Sequence, residues 1–137
     1  NSVFLITYGN GSSQFSNRTP IDFKFKTNQT QGCSSNLQSG VFYFVNRIPT
    51  YDPYWHSGAL DHILDDTDGY MYLIDADRDK TTLFSNEIMN LCINESYEFS
   101  AYFANVGKQN DTGSKRPEIV LEVKQVTECN HVINIII

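Results

Sequence analysis

The hydrophobic positions of this chain fall into short runs and two-residue alternations, divided by long polar stretches. Val41 to Val45 is an unbroken apolar run, the pattern of a strand covered on both faces. Over 21–26, Ile21, Phe23 and Phe25 alternate with Asp22, Lys24 and Lys26, which predicts a strand with one face on a core. The same period puts Tyr97, Phe99, Ala101 and Phe103 on one face of 97–106. After Pro117 it turns Ile119, Leu121 and Val123 inward and Glu118, Glu122 and Lys124 outward. Residues 3–8, 70–76, 81–88 and 131–137 also read as strands, with Asp77, Arg78, Asp79 and Lys80 as the turn of a hairpin. That makes about eight strands and no helical period. The expected fold is all-β, a two-sheet antiparallel sandwich of jelly-roll type.

Composition agrees with this picture. Nine Phe and eight Tyr suit pleated, half-buried surfaces, and alanine stands at four positions only. At 137 residues the chain makes one domain with a real core. Its formal charge of -6 and lack of a basic stripe argue against nucleic acid as a partner. No 18-residue apolar run is present, so no membrane span is expected, and the absence of a leader segment reads as a mature chain.

The long polar stretches carry a second message. Asn-x-Ser/Thr occurs at Asn10, Asn17, Asn28, Asn94 and Asn110, never with proline in the middle. Thirteen asparagines at ordinary Ser/Thr frequency would give about two such sites by chance. The excess predicts a secreted, extracellular chain bearing covalent N-glycans. Cys33, Cys92 and Cys129 fit neither zinc spacing nor a Cys-x-x-Cys motif. In an oxidising compartment two of them should pair. Three pairings are possible, and spacing does not choose among them.

Candidate chemistry gathers in the long connection 46–69, a length that in a compact domain is functional or tied down by its own side chains. Its acidic residues fail the EF-hand pattern, because Gly69 falls at the fourth or fifth position instead of the sixth. Asp61, Asp65, Asp66 and Asp68 are still the candidates for a structural calcium held by loops. The competing reading is a solvated turn in which Asp68-Gly69 supplies a positive φ. His56, Asp61 and His62 have no third ligand at a fixed spacing and do not read as a zinc site. Tyr51, Tyr54 and Trp55 could stack on a sugar ring or cap the sandwich. No nucleophile motif or phosphate-cradling glycine loop appears, and the chain is expected not to be an enzyme.

Several of these residues occur in a recognisable order. Trp55-His56, Asp61-His62-Ile63, the run from Asp68-Gly69-Tyr70-Met71 to Asp75-Ala76, Asn90-Leu91-Cys92 and Tyr97-Glu98-Phe99-Ser100-Ala101-Tyr102 follow one another along the chain. They resemble a pattern of secreted repeat and surface proteins, with Ile63 standing where that pattern has threonine. Phe4…Tyr8-Gly9-Asn10-Gly11 is similar to its opening turn and Pro117-Glu118-Ile119 to its closing strand. Such domains are similar to MAM and galactose-binding-like jelly rolls, which implies adhesion or carbohydrate binding. The resemblance covers 3–125. It places Cys33 and Cys92 in the shared part, which implies a Cys33–Cys92 disulfide and leaves Cys129 unpaired or intermolecular.

The resemblance also implies a glycosylated sandwich over 1–128, with 129–137 as a separate apolar strand. Val132, Ile133, Ile135, Ile136 and Ile137 form the most apolar segment of the chain. Left exposed, such a segment invites aggregation, so it should be buried. It could complete its own sandwich. It could also be donated to a neighbouring copy, as in fibre subunits joined head to tail. The first functional expectation is therefore a structural subunit of a glycosylated extracellular filament. The alternative is a carbohydrate-binding adhesion module.

Overall fold

The computed structural model describes residues 7–50, 53–62, 66–77, 79–91, 94–108 and 117–137. Its strands are β1 (Thr30–Gln31), β2 (Val41–Val45), β3 (Met71–Ile74), β4 (Thr82–Ile88), β5 (Val120–Gln125) and β6 (His131–Ile136). They form two three-stranded sheets, ordered β1-β2-β3 and β4-β6-β5. All pairs are antiparallel except β1 with β2, which is parallel. The fold is thus a small all-β two-sheet sandwich, with six strands among the described residues where the sequence pattern gave eight.

β2 is the pivot. Its alternating side chains feed two different cores, which is why the whole run is apolar. Phe42 and Phe44 pack with Phe25 and Tyr70, and with Tyr8, Phe23, Tyr72, Ile74 and Phe84 around them. Tyr43 and Val45 point the other way, onto Ile48 and Leu73, beneath Phe15, Leu37, Trp55, Met71 and Val106. The first cluster joins the two sheets. Phe25 stacks on Phe84 of β4 at 4.8 Å, and Phe42 stacks on Tyr72 of β3 at 4.7 Å.

Two expected strands do not form as read, and most of a third, 3–8, lies outside the described residues. Residues 21–26 open as a 3-10 turn at Pro20–Phe23. The Asp22 carboxylate accepts from the Thr19 amide (2.7 Å) and hydroxyl (3.2 Å), and Lys24 ends the turn at a φ of 59°. That local capping defeats the alternation, leaving Ile21 84% exposed while Phe23 and Phe25 still reach the core. Residues 97–106 are not a strand where described, and Tyr97, Ala101 and Phe103 are exposed. The segment is anchored by its end instead, where Val106 packs with Trp55 on the second cluster. Of 3–8, only Thr7 and Tyr8 are described and neither is in a strand.

The expected hairpin between 70–76 and 81–88 is also corrected. β3 pairs with β2, and β4 pairs with β6, so the connection between them crosses from one sheet to the other. Crossing buries Phe84 against the first aromatic cluster, which a turn back onto β3 would not do. β6 sits in the middle of its own sheet, with Ile133 buried and neighbours on both sides. On β5, both faces stay largely open: Leu121 and Val123, expected inward, are exposed along with Val120.

The aromatic core makes a pH prediction. Burial, and then the Asp61 carboxylate, push the Tyr8 phenol up to about 12, and burial pushes Tyr72 up as well. Unfolded phenols ionise near pH 10. Above that pH the unfolded chain has released protons that the folded chain still holds, so stability falls as pH rises. Urea midpoints should drop steeply between about pH 9 and pH 11.5, and Tyr8→Phe should flatten the drop. An identical slope in the variant would contradict this placement of Tyr8.

Candidate saccharide-binding surface

The connection 46–69 is tied down at several points. Ile48 and Gly58 hold its neck together, through Ile48 N to Ala59 O (2.9 Å) and Gly58 N to Ile48 O (3.0 Å). Gly58 takes a φ of 76°, a conformation that glycine adopts without a steric cost. The connection then lies against residues 106–108. His56 N donates to Val106 O (2.7 Å), Lys108 N to Tyr54 O (2.7 Å), and the Lys108 ammonium to Pro53 O (3.0 Å). Trp55 and Gly107 form an isolated bridge between the same two segments.

This framework sorts the three aromatic candidates. Trp55 is half-buried on the second core cluster and acts as a cap. Tyr54 is 67% exposed beside Lys108. Tyr51 lies outside the described residues. Farther along, two residues not proposed together from sequence meet: the His62 and Tyr102 rings lie 4.1 Å apart at 35°, with Tyr102 80% exposed. The His62 amide donates to Asp61 Oδ1 (2.7 Å), which fixes the turn presenting the ring. Phe103 and Leu60 are exposed nearby in sequence. No sequence signal pointed to Tyr102, since residues of both parities in 97–106 are exposed.

The acidic candidates divide. Asp61 and Asp66 converge on Gly69, where an added Cβ would meet Asp66 Oδ2 at 2.5 Å and Asp61 Oδ2 at 3.0 Å. Only glycine leaves room for both carboxylates. Asp68, and not Gly69, holds the positive φ of that turn, at 61°, and its carbonyl accepts from Gly11 N (3.1 Å). Asp65 lies outside the described residues. Calcium takes six to eight oxygen ligands. Among the described residues no group of three or more His, Cys, Asp or Glu is arranged to hold a metal.

Of the sequon asparagines, Asn10, Asn17, Asn28 and Asn94 are exposed, and Asn110 lies outside the described residues. A concavity of about 360 Å³ is lined by Asn10, Ser13, Phe15, Ser16, Asn17, Arg18 and Tyr70. Two of those residues are sequon asparagines, so sugars attached there would crowd its mouth. Cys33 is exposed and Cys129 half-buried, both as free thiols. Cys92 lies outside the described residues, but its chain neighbour Leu91 donates its amide to the Cys129 carbonyl at 2.9 Å. No helix among the described residues is long and apolar enough to cross a membrane.

No protein-family model, curated protein or solved structure matches the chain.

Proposed function

We propose that this chain is a non-enzymatic, secreted and N-glycosylated adhesion module that binds saccharides on its exposed rings. The observation that supports it most is the solvent-facing His62–Tyr102 pair. Exposed rings can offer a π face to the C–H groups of a pyranose, while the phenol and imidazole edges hydrogen-bond its hydroxyls. Tyr54 adds a third exposed ring on the same pair of segments. Trp55 supports the surface from below instead of contacting sugar. The exposed sequons favour an extracellular setting.

The test is an array of immobilised glycans probed with the intact chain. Tyr102→Ala should weaken binding roughly tenfold, in line with an aromatic contact of about 1–1.5 kcal/mol. Its melting temperature should barely move, since surface substitutions generally fall within about 0.5 kcal/mol. Trp55→Ala should lower the melting temperature instead. Unchanged binding in Tyr102→Ala sinks the proposal.

A second reading, the head-to-tail filament, draws support from the apolar character of Val132, Ile133, Ile135, Ile136 and Ile137. In the fold these residues fill the gap between β4 and β5 of their own chain. Donation to a neighbour would repeat the same pairing between copies, and it requires the 126–130 turn to open. Negative-stain microscopy separates the readings: fibres with a repeat near one domain length support donation, and discrete particles support the adhesion module.

A further inference from the structure

β5 is the last strand of the β4-β6-β5 sheet, and no described residue pairs with its outer edge. An open edge with apolar side chains is a template for another strand. Val120, Leu121 and Val123 are all exposed there, Val123 by 43%, and Val126 follows. The usual guards are missing. No proline interrupts the strand, and its one lysine, Lys124, is engaged by Glu122 of the same strand at 3.1 Å. Nor does any sequon fall within 117–131, whereas the Asn28 sequon runs into β1 and Asn28 N bonds Thr82 O beside β4.

The direction of the free backbone groups follows from the ladder. Ile137 exchanges both backbone bonds with Thr81 across the β4 side, and Val126 N donates to Asn130 O on the β5 side. Antiparallel alternation then turns the amides and carbonyls of Val120, Glu122 and Lys124 toward β6. Those of Leu121, Val123 and Gln125 point outward, unpaired by any described strand.

We propose that this edge pairs with the same edge of a second copy, antiparallel, about a two-fold axis at Val123. One continuous sheet then runs through both copies. Val123 faces the partner's Val123 as a hydrogen-bonded pair, and Leu121 faces the partner's Gln125. In the closer, non-hydrogen-bonded positions Glu122 faces the partner's Lys124, Lys124 faces the partner's Glu122, and Val120 faces the partner's Val126. Charge selects this register. Sliding the axis to Glu122 sets two carboxylates opposite each other, and sliding it to Lys124 sets two ammonium groups opposite each other. Like charges directly across a sheet are destabilising. An interface between copies is a matter separate from sugar binding, and its test does not depend on that reading.

Sedimentation velocity over a concentration series of the intact glycosylated chain is the experiment. The wild type should show a reversible monomer–dimer equilibrium. Glu122→Lys and Lys124→Glu should each raise the dimer dissociation constant roughly tenfold or more, because each replaces two attractive cross-strand pairs by repulsive ones. Mixing the two variants should restore the dimer as a heterodimer, since each now offers what the other lacks. The double variant Glu122→Lys/Lys124→Glu should dimerise like the wild type. Thermal melts of the single variants establish that they are folded. A wild type that stays monomeric overturns the proposal, whether the edge is bare or accepts a strand of some other protein. A dimer indifferent to both single substitutions, or variants that do not associate on mixing, overturns it as well.

Discussion

Replacing Phe44 by alanine should cost about 3–5 kcal/mol and bring the chain close to unfolding at room temperature. Phe44 is 0% exposed and its ring meets five others. Tyr8 lies at 4.9 Å, Phe23 at 5.1 Å, Phe42 at 5.5 Å, Tyr72 at 5.7 Å and Phe25 at 6.4 Å. Those rings come from the N-terminal segment, the 3-10 turn and the residues just after it, β2 and β3. Phe25 in turn stacks on Phe84 of β4. Removing Phe44 therefore opens a cavity where the chain's early loops meet its first sheet, and loosens the contact between sheets. Ile21→Ala is the control. The sequence pattern puts Ile21 in the same core, the structure puts it in water, and its loss should stay within about 0.5 kcal/mol. Urea unfolding midpoints of the two variants compare these directly. Equal costs would contradict the placement of the core.

The second large effect concerns the cysteines. The Leu91 amide bonded to the Cys129 carbonyl brings the β4 exit and the β6 entry together. Cys92 is one peptide link from that bond. In an oxidising compartment we expect Cys92 to pair with Cys129, leaving Cys33 free on the surface. By the chain-entropy argument, closing a loop of about 37 residues stabilises the fold by about 4 kcal/mol. Cys129→Ser should therefore lower the melting temperature strongly and Cys33→Ser hardly at all. Peptide mapping without reduction gives the pairing outright. A Cys33–Cys92 peptide, as the family resemblance implies, would contradict the expectation.

How much of this was legible depends on what kind of neighbour a residue needs. β2 was readable because burial on both faces demands an unbroken apolar run, a property of the strand alone. β3, β4, β5 and β6 were readable as strands for similar local reasons. Their partners were not. The polar turn at 77–80 suits a hairpin and a crossover equally, and only Phe84 packing on Phe25 decides between them. Over 21–26 the alternation was real, but Pro20, Thr19 and Asp22 supplied a local hydrogen-bonding alternative that outweighed it. Over 97–106 the alternation forms no strand, and Tyr97, Ala101 and Phe103 stay exposed. The site shows the same division. The long connection 46–69 was legible as a segment tied down by its own contacts, and Tyr54 as one of its aromatic rings. Yet Trp55, the most conspicuous residue by type, supports the core. The His62–Tyr102 pair joins segments far apart in sequence, and no spacing rule announces it.

The central claim, that saccharide is held on the His62–Tyr102 rings, is tested most directly by aromatic-proton NMR. Short oligosaccharides of glucose, N-acetylglucosamine, galactose and mannose would be titrated in turn into the folded chain. For a saccharide that binds, the Tyr102 and His62 ring signals should shift first and furthest, with the Trp55 indole N–H nearly still. Shifts centred on Trp55 with Tyr102 unmoved, or no shift with any of the four, would contradict the account.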